Sequence, residues 1–265
     1  MCRQVDRVMK KGIRTIILVL LLAVFLFSVA RLLLYYLEYR KEDARYETAA
    51  EYYIQELPAG ESDIRIAGQG EAEVCPIAVD FEALAAESEN VAGWLYCEGT
   101  NINYPVMQGE DNDYYLHHSY NGQESRGGAI FVDAGNRPHF ADSNTIIYGH
   151  HMKNGSMFAH LSDWEDPAYF ASHSEMWLLT PEHNYRVELL GGYLTPAVSD
   201  SYTIFTGACP EFDDYLRNVA AAFDIETEAD MPVDGRYVML STCEYDYTDA
   251  RYVLHGRLVP VEEEL

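Results

Sequence analysis

Two segments of the sequence carry side chains suited to breaking and making acyl bonds. In YVMLSTCEYDYTDARYVLHGRL, residues 237–258, an apolar run ends in Ser241-Thr242-Cys243, a polar loop covers Glu244 to Ala250, and a second run opens with Arg251. In NTIIYGHHMKNGSMF, residues 144–158, His150 follows an apolar run and a glycine. A thiol attacks as its thiolate, and an ordinary pKa of about 8.5 leaves only a small fraction ionised at neutral pH. A neighbouring imidazole supplies the base or the imidazolium partner, and can later protonate a departing amine. Arginine stays protonated, so its role would be to hydrogen-bond a substrate backbone and a developing oxyanion. Together the three form a coherent set for acyl transfer. Each type alone has a plainer explanation, since a histidine at a strand end is more often structural and many proteins contain all three by chance.

Chemistry of this kind needs rigid elements behind it. The run before Cys243 and the run opening with Arg251 read as two strands that bring a thiol and a guanidinium to one rim of a sheet. Other short runs rich in Val, Ile, Leu or Tyr read as strands: Ile102–Met107, Ala129–Val132, Thr145–Tyr148, Met176–Leu179 and Tyr185–Leu194, besides Tyr237–Ser241 and Arg251–Val259. Turn signals at Gly127-Gly128, Asn154-Gly155, Gly191-Gly192 and Asp234-Gly235 separate them. Helices are few: Phe81 to Ser88 with Asp80 as its cap, a segment after Ser156, and Glu211 to about Phe223. This pattern predicts a mainly β domain with a closed or nearly closed barrel.

Ahead of that domain, Thr15 to Ala30 is uncharged and almost wholly apolar, and LLLYYL resumes after Arg31. Together these supply roughly the twenty residues needed to cross a bilayer core. The basic residues before the run predict a cytoplasmic N-terminus and an exported C-terminal domain. Ser28-Val29-Ala30 resembles a cleavage site, but the apolar stretch continues beyond it, which favours an uncleaved anchor. The expected organisation is a cytoplasmic basic tail at 1–14, a single transmembrane signal-anchor at 15–37, a juxtamembrane helix and linker at 38–78, and a catalytic domain at 79–265.

The formal net charge is −25; residues 1–34 are net positive by five, so the remainder carries −30. Such a domain repels nucleic acid, which is excluded as a partner. The five cysteines are odd in number and lack any C-x-x-C pair, which argues against a disulfide framework or a zinc ribbon. Cys97 reads as core packing, whereas Cys75 in the linker and Cys209 before Pro210 are assigned no function; for any single cysteine the plain reading is a buried, inert thiol. Glu110, Asp111 and Asp113 have the composition of a calcium loop without its glycine or its terminal glutamate. No metal and no cofactor is expected.

The strand ending LSTC, the downstream Arg251 and the preceding YGH resemble the sortases, class B in particular. The resemblance runs over roughly Val79 to Leu258. It includes GWLYCEGTNINYPVMQGEDNDYYLHH (93–118), GGAIFVD (127–133) and YGHHMKNGSMF (148–158). It implies a sortase-type closed β-barrel with N-terminal helices and a membrane-anchored cysteine transpeptidase. Cys243 would be the nucleophile, His150 the acid/base and Arg251 the oxyanion and substrate group. Asn112, Leu116, Ser241 and Glu244 would lie along the peptide groove, and the stretch between Leu194 and Phe205 would form the loop closing over it. The implied partners are a secreted protein bearing an NPxTN-like sorting signal, cleaved after Thr, and an amine acceptor in the cell wall or on a pilin lysine. The implied location is the outer face of the cell membrane. Two other functions use the same residues or none: a cysteine protease releasing its product to water, and a non-catalytic tethered envelope module.

Overall fold

The computed structural model describes residues 2–57, 64–65, 75–225, 230–243 and 249–263. The chain divides into two units, Met1–Arg45 and Tyr46–Leu265. Helix α1, Cys2–Tyr53, begins in the first and ends in the second. In the first unit, the large apolar side chains from Ile16 to Leu37 are exposed almost without exception. From Arg14 onward α1 is long and apolar enough to cross a membrane, with a mean hydropathy of 2.9 in its most apolar window. Ser28 donates its hydroxyl back to the Val24 carbonyl at 2.9 Å, which satisfies it within the helix. The Arg31 guanidinium lies 5.2 Å from the Tyr35 ring and bonds its hydroxyl.

In the second unit, β1 (Ile54–Glu56) pairs with β3 (Ile77–Val79), and β2 (Ile64–Arg65) pairs with β12 (Glu262–Glu263). β2 and β3 are only two and three residues long, too short for local periodicity to announce them. α2, Phe81–Glu87, starts where the sequence places it: the Asp80 carboxylate accepts the Ala83 N–H at 2.9 Å. The chain continues through β4 (Val91–Tyr96), β5 (Asn103–Gln108), α3 (Tyr114–His117), β6 (Ile130–Val132) and β7 (Asn144–Tyr148). It ends with α4 (Pro167–Ser172), β8 (Glu175–Leu179), β9 (Tyr185–Pro196), α5 (Pro210–Ala222), β10 (Arg236–Cys243) and β11 (Ala250–Pro260).

Among the described residues, eight strands close a barrel in the order β10-β11-β9-β8-β4-β5-β6-β7. The fold is mainly β, as expected. The apolar runs read as strands are strands, with ends shifted by at most about two residues. β4 was not among them, because a bulge between Val91 and Gly93 breaks its alternation. Trp94, Phe131, Val187, Leu240 and Leu254 help to fill the barrel interior. A second core lies on the opposite face of β7, β9, β10 and β11, where Phe212, Tyr215, Leu216 and Val219 of α5 meet Ile146, Tyr237, Met239 and Val253. Their spacing along α5 is the i, i+3, i+4, i+7 stripe of a helix with one buried face.

Candidate active site

Four strand ends meet at one rim of the barrel. β7 runs parallel to β10 with Tyr148 level with Ser241, and the Gly149 N–H donates to the Ser241 carbonyl at 3.1 Å just past the strand end. β10 runs antiparallel to β11 and pairs Cys243 with Arg251. β11 in turn pairs Arg251 with Thr195 of β9. Paired residues share a side of a sheet and alternate residues share a face. By register, Tyr148, Ser241, position 243, Arg251 and Thr195 therefore fall on one face, continuous with the one α5 covers. Gly149 is required at the turn into His150. A Cβ there would lie 2.5 Å from the Phe158 ring and 2.6 Å from Ile130.

A cleft of about 330 Å³ opens at this rim. His150 lines it beside Tyr148 and Gly149, while Ser241, Thr242 and Arg251 form the adjoining wall. Asn112 and Leu116 face it from the α3 segment, Phe131 from β6, and Ala197 and Tyr202 from the loop after β9. Five of the residues singled out from the sequence, Asn112, Leu116, His150, Ser241 and Arg251, thus border one space. The backbone of Cys243 ends β10 there, and Glu244 lies outside the described residues.

His150 is half-buried, and its Nε2 lies 2.9 Å from the Leu116 carbonyl oxygen. Arg251 donates from one terminal nitrogen to the Ala250 carbonyl at 3.0 Å, and among the described residues its other N–H groups have no hydrogen-bond partner. Ser241 is buried, and its hydroxyl shares a 2.9 Å hydrogen bond with the Tyr202 hydroxyl. Asn112 has both ends of its amide committed: Nδ2 donates to Asp133 at 2.9 Å and Oδ1 accepts the Ala134 N–H at 2.8 Å. Tyr148 donates to the same Asp133 oxygen at 2.8 Å. Burial, and then the Asp133 carboxylate, push the Tyr148 phenol well above its usual pKa, against a smaller opposing pull from Arg251. It therefore stays a neutral donor.

Side chains hold the irregular walls. The Asp111 carboxylate accepts the Tyr114 and Asp113 N–H groups at 2.8 and 2.9 Å and so starts α3. Those bonds hold its pKa below the ordinary carboxylate range. Asn144 clamps the loop after β9, donating to the Thr203 carbonyl at 2.8 Å and accepting the Phe205 N–H at 2.7 Å.

Tyr202, Ala197, Phe131 and Asp133 were not singled out from the sequence. Tyr148 stood next to a chosen glycine at the end of a run read as a strand, but only the register between β7 and β10 sets it level with Ser241. Ala197 and Tyr202 fall in the 194–205 stretch that the resemblance assigned to the groove-closing loop, but nothing in the sequence picked out either residue, because tertiary hydrogen bonds set their place. Cys97 packs in the core, as expected. Cys75, which the sequence placed in the linker, is fully buried beside β3, and its thiol donates to the Ile77 carbonyl at 3.2 Å. Burial pushes the Cys75 thiol up to about 12 and the Cys97 thiol up to about 11, which makes both poor nucleophiles. Cys209 is half-buried before α5. Among the described residues, no group of three or more His, Cys, Asp or Glu is arranged to hold a metal ion.

Residues 95–259 match the family model described as the sortase domain. The chain is 40% identical over 176 residues to sortase B of Listeria monocytogenes, covering 65% of this chain and 71% of that protein. A Bacillus anthracis crystal structure described as similar to sortase B aligns with a TM-score of 0.68 at 30% identity, covering 85% of this chain and 97% of that one. A structure of the Staphylococcus aureus sortase B-substrate complex aligns with a TM-score of 0.65 at 28% identity, covering 69% of this chain and 85% of that one.

Proposed function

The chain belongs to the sortase family and is a class B cysteine transpeptidase, and from that premise we propose that it cleaves a C-terminal sorting signal of NPxTN type after Thr and passes the acyl group to an amine. In this reading the Cys243 thiolate attacks the Thr carbonyl carbon, and Arg251 hydrogen-bonds the oxyanion that forms. His150 as imidazolium gives its proton to the departing amide nitrogen as the C–N bond breaks, leaving a thioester on Cys243. An acceptor amine then attacks the thioester. Its surplus proton returns to His150 and the thiolate leaves. The acceptor is a cell-wall amine or a pilin lysine. Asn112, Leu116, Ser241 and Glu244 contact the peptide.

The observation that carries this reading is the convergence of His150 and Arg251 with the end of β10 at one cleft. The S. aureus substrate complex supports a peptide as occupant. We further propose residues 15–37 as a single-pass anchor, residues 38–78 as juxtamembrane helix and linker, and residues 79–265 as the catalytic domain. The basic tail at 1–14 would stay in the cytoplasm and the catalytic domain outside the cell. An anchor of this kind raises the local concentration of secreted substrates and lipid-linked acceptors.

The test is mass spectrometry of the protein incubated with a panel of sorting-signal peptides, with and without amine acceptors. A thioacyl adduct on Cys243 and an amide product are expected. Free acid as the sole product with every amine would mark a hydrolase, and full turnover by Cys243→Ala would end the enzymatic assignment.

A further inference from the structure

His150 presents two ring nitrogens, and the structure treats them differently. Nε2 lies 2.9 Å from the Leu116 carbonyl oxygen, whereas Nδ1 meets no hydrogen-bonding partner among the described residues. A carbonyl oxygen only accepts, so the hydrogen on this bond must sit on Nε2. In the neutral ring the lone pair then sits on Nδ1.

The carbonyl is itself held in place. α3 is one turn long, and the Ala129 N–H bonds the preceding Tyr115 carbonyl at 2.9 Å. Gly128 lies against this turn at a φ of 57°, and a Cβ there would run into the Tyr115 carbonyl and come within 2.9 Å of the Leu116 oxygen. Only glycine allows that approach without strain. The Gly128 carbonyl in turn accepts the hydroxyl of Tyr46, a buried residue near the C-terminal end of α1.

We infer that the Leu116 backbone carbonyl positions His150, keeping a proton on Nε2 so that Nδ1 is the nitrogen that exchanges protons with the thiol and the leaving amine. Gly128 and Tyr46 act behind it. The inference rests on His150 being the acid/base. In the step it describes, the thiol proton passes to Nδ1 while Nε2–H remains on Leu116. That same Nδ1 proton later goes to the departing nitrogen, so the bond to Leu116 persists throughout the cycle. Leu116 thereby both lines the cleft and gives its carbonyl to the imidazole.

Full-length protein labelled with nitrogen-15 histidine, in detergent micelles at a pH where imidazole is neutral, provides the test. The His150 signals are identified by their loss in His150→Gln. A protonated Nε2 and an unprotonated Nδ1 are expected from long-range proton–nitrogen correlations, and the reverse pattern or an even mixture overturns the inference. Gly128→Ala is expected to mix the tautomers and lower kcat roughly 10- to 100-fold with little change in KM, as loss of an orienting partner does elsewhere. Tyr46→Phe is expected to act in the same direction and more weakly. If Gly128→Ala does not fold, the wild-type tautomer still decides. Undiminished turnover by His150→Ala would remove the acid/base reading itself, whereas a reversed tautomer with an inactive His150→Ala would remove only this inference.

Discussion

One face of the sheet formed by β7, β10, β11 and β9 has two fates along its length. Over one half lies α5, and the residues beneath it are apolar: Ile146, Met239, Val253 and Tyr237. The other half extends beyond the helix and carries Tyr148, Ser241, Arg251 and Thr195. Each half has its histidine. His255 lies buried with its ring stacked on Tyr193 at 5.5 Å, and its Nε2 has no hydrogen-bond partner among the described residues. Burial alone brings its pKa down to about 3, so it stays neutral. His150 is half-buried and hydrogen-bonded, and it borders an open cleft. Alternation along the strands decides which residues share this face. What covers them decides whether an imidazole is packed away or faces open space.

If the open half alone holds the chemistry, substitutions there should remove turnover and spare the fold. Cys243→Ala is expected to abolish turnover of a fluorogenic sorting peptide. His150→Ala and Arg251→Ala should each lower kcat/KM by about three to four orders of magnitude. Thermal unfolding should be little changed for His150→Ala and Arg251→Ala, whose side chains are only half-buried. Equal losses of stability and activity would erase the distinction between the halves.

The covered half should behave in the opposite way. Phe212→Ala removes a fully buried ring from α5 and is expected to cost about 3–5 kcal/mol in denaturant unfolding, while the folded fraction keeps its kcat.

His255 sharpens the contrast through pH. Its folded pKa of about 3 lies below the ordinary 6.5, so the unfolded chain takes up the proton first. The stability it secures is therefore complete above about pH 6.5 and is lost as pH falls towards 3, by up to about 1.4 kcal/mol per unit. His255→Phe should match the wild type at neutral pH and exceed it by about 2 kcal/mol near pH 5. Parallel stability curves for the two proteins would refute this.

The smallest effect is expected where the loop after β9 is fastened to the open half. Tyr202→Phe removes the hydrogen bond to Ser241 and should cost about 1 kcal/mol or less, with a rise in KM of roughly two- to fivefold and an unchanged kcat. A change in kcat alone would place Tyr202 in the chemistry and not in the wall.

The hairpin that sets Arg251 opposite Cys243 was legible because both strands are apolar runs and the loop between them is polar. The α5 stripe and the Asp80 cap were legible for the same reason: their signals are local and periodic. Asn112 and Leu116 came only from family resemblance, since neither residue type in a polar stretch marks a groove. β4 hid behind its bulge. β2 and β3 hid because they are only two and three residues long, too short for alternation to show.

By itself, the sequence determined seven of the eight barrel strands and the helices α2 and α5, which family the chain belongs to and which residue types are available for acyl transfer. These follow from side-chain periodicity and from motifs carried within single segments. Only the tertiary structure decided that Leu116 offers its carbonyl to His150, that Asn144 and Ser241 hold the loop after β9, and that α5 stops short of the cleft. Those outcomes depend on backbone groups and on contacts between distant segments, and a backbone carbonyl is the same whichever side chain it carries.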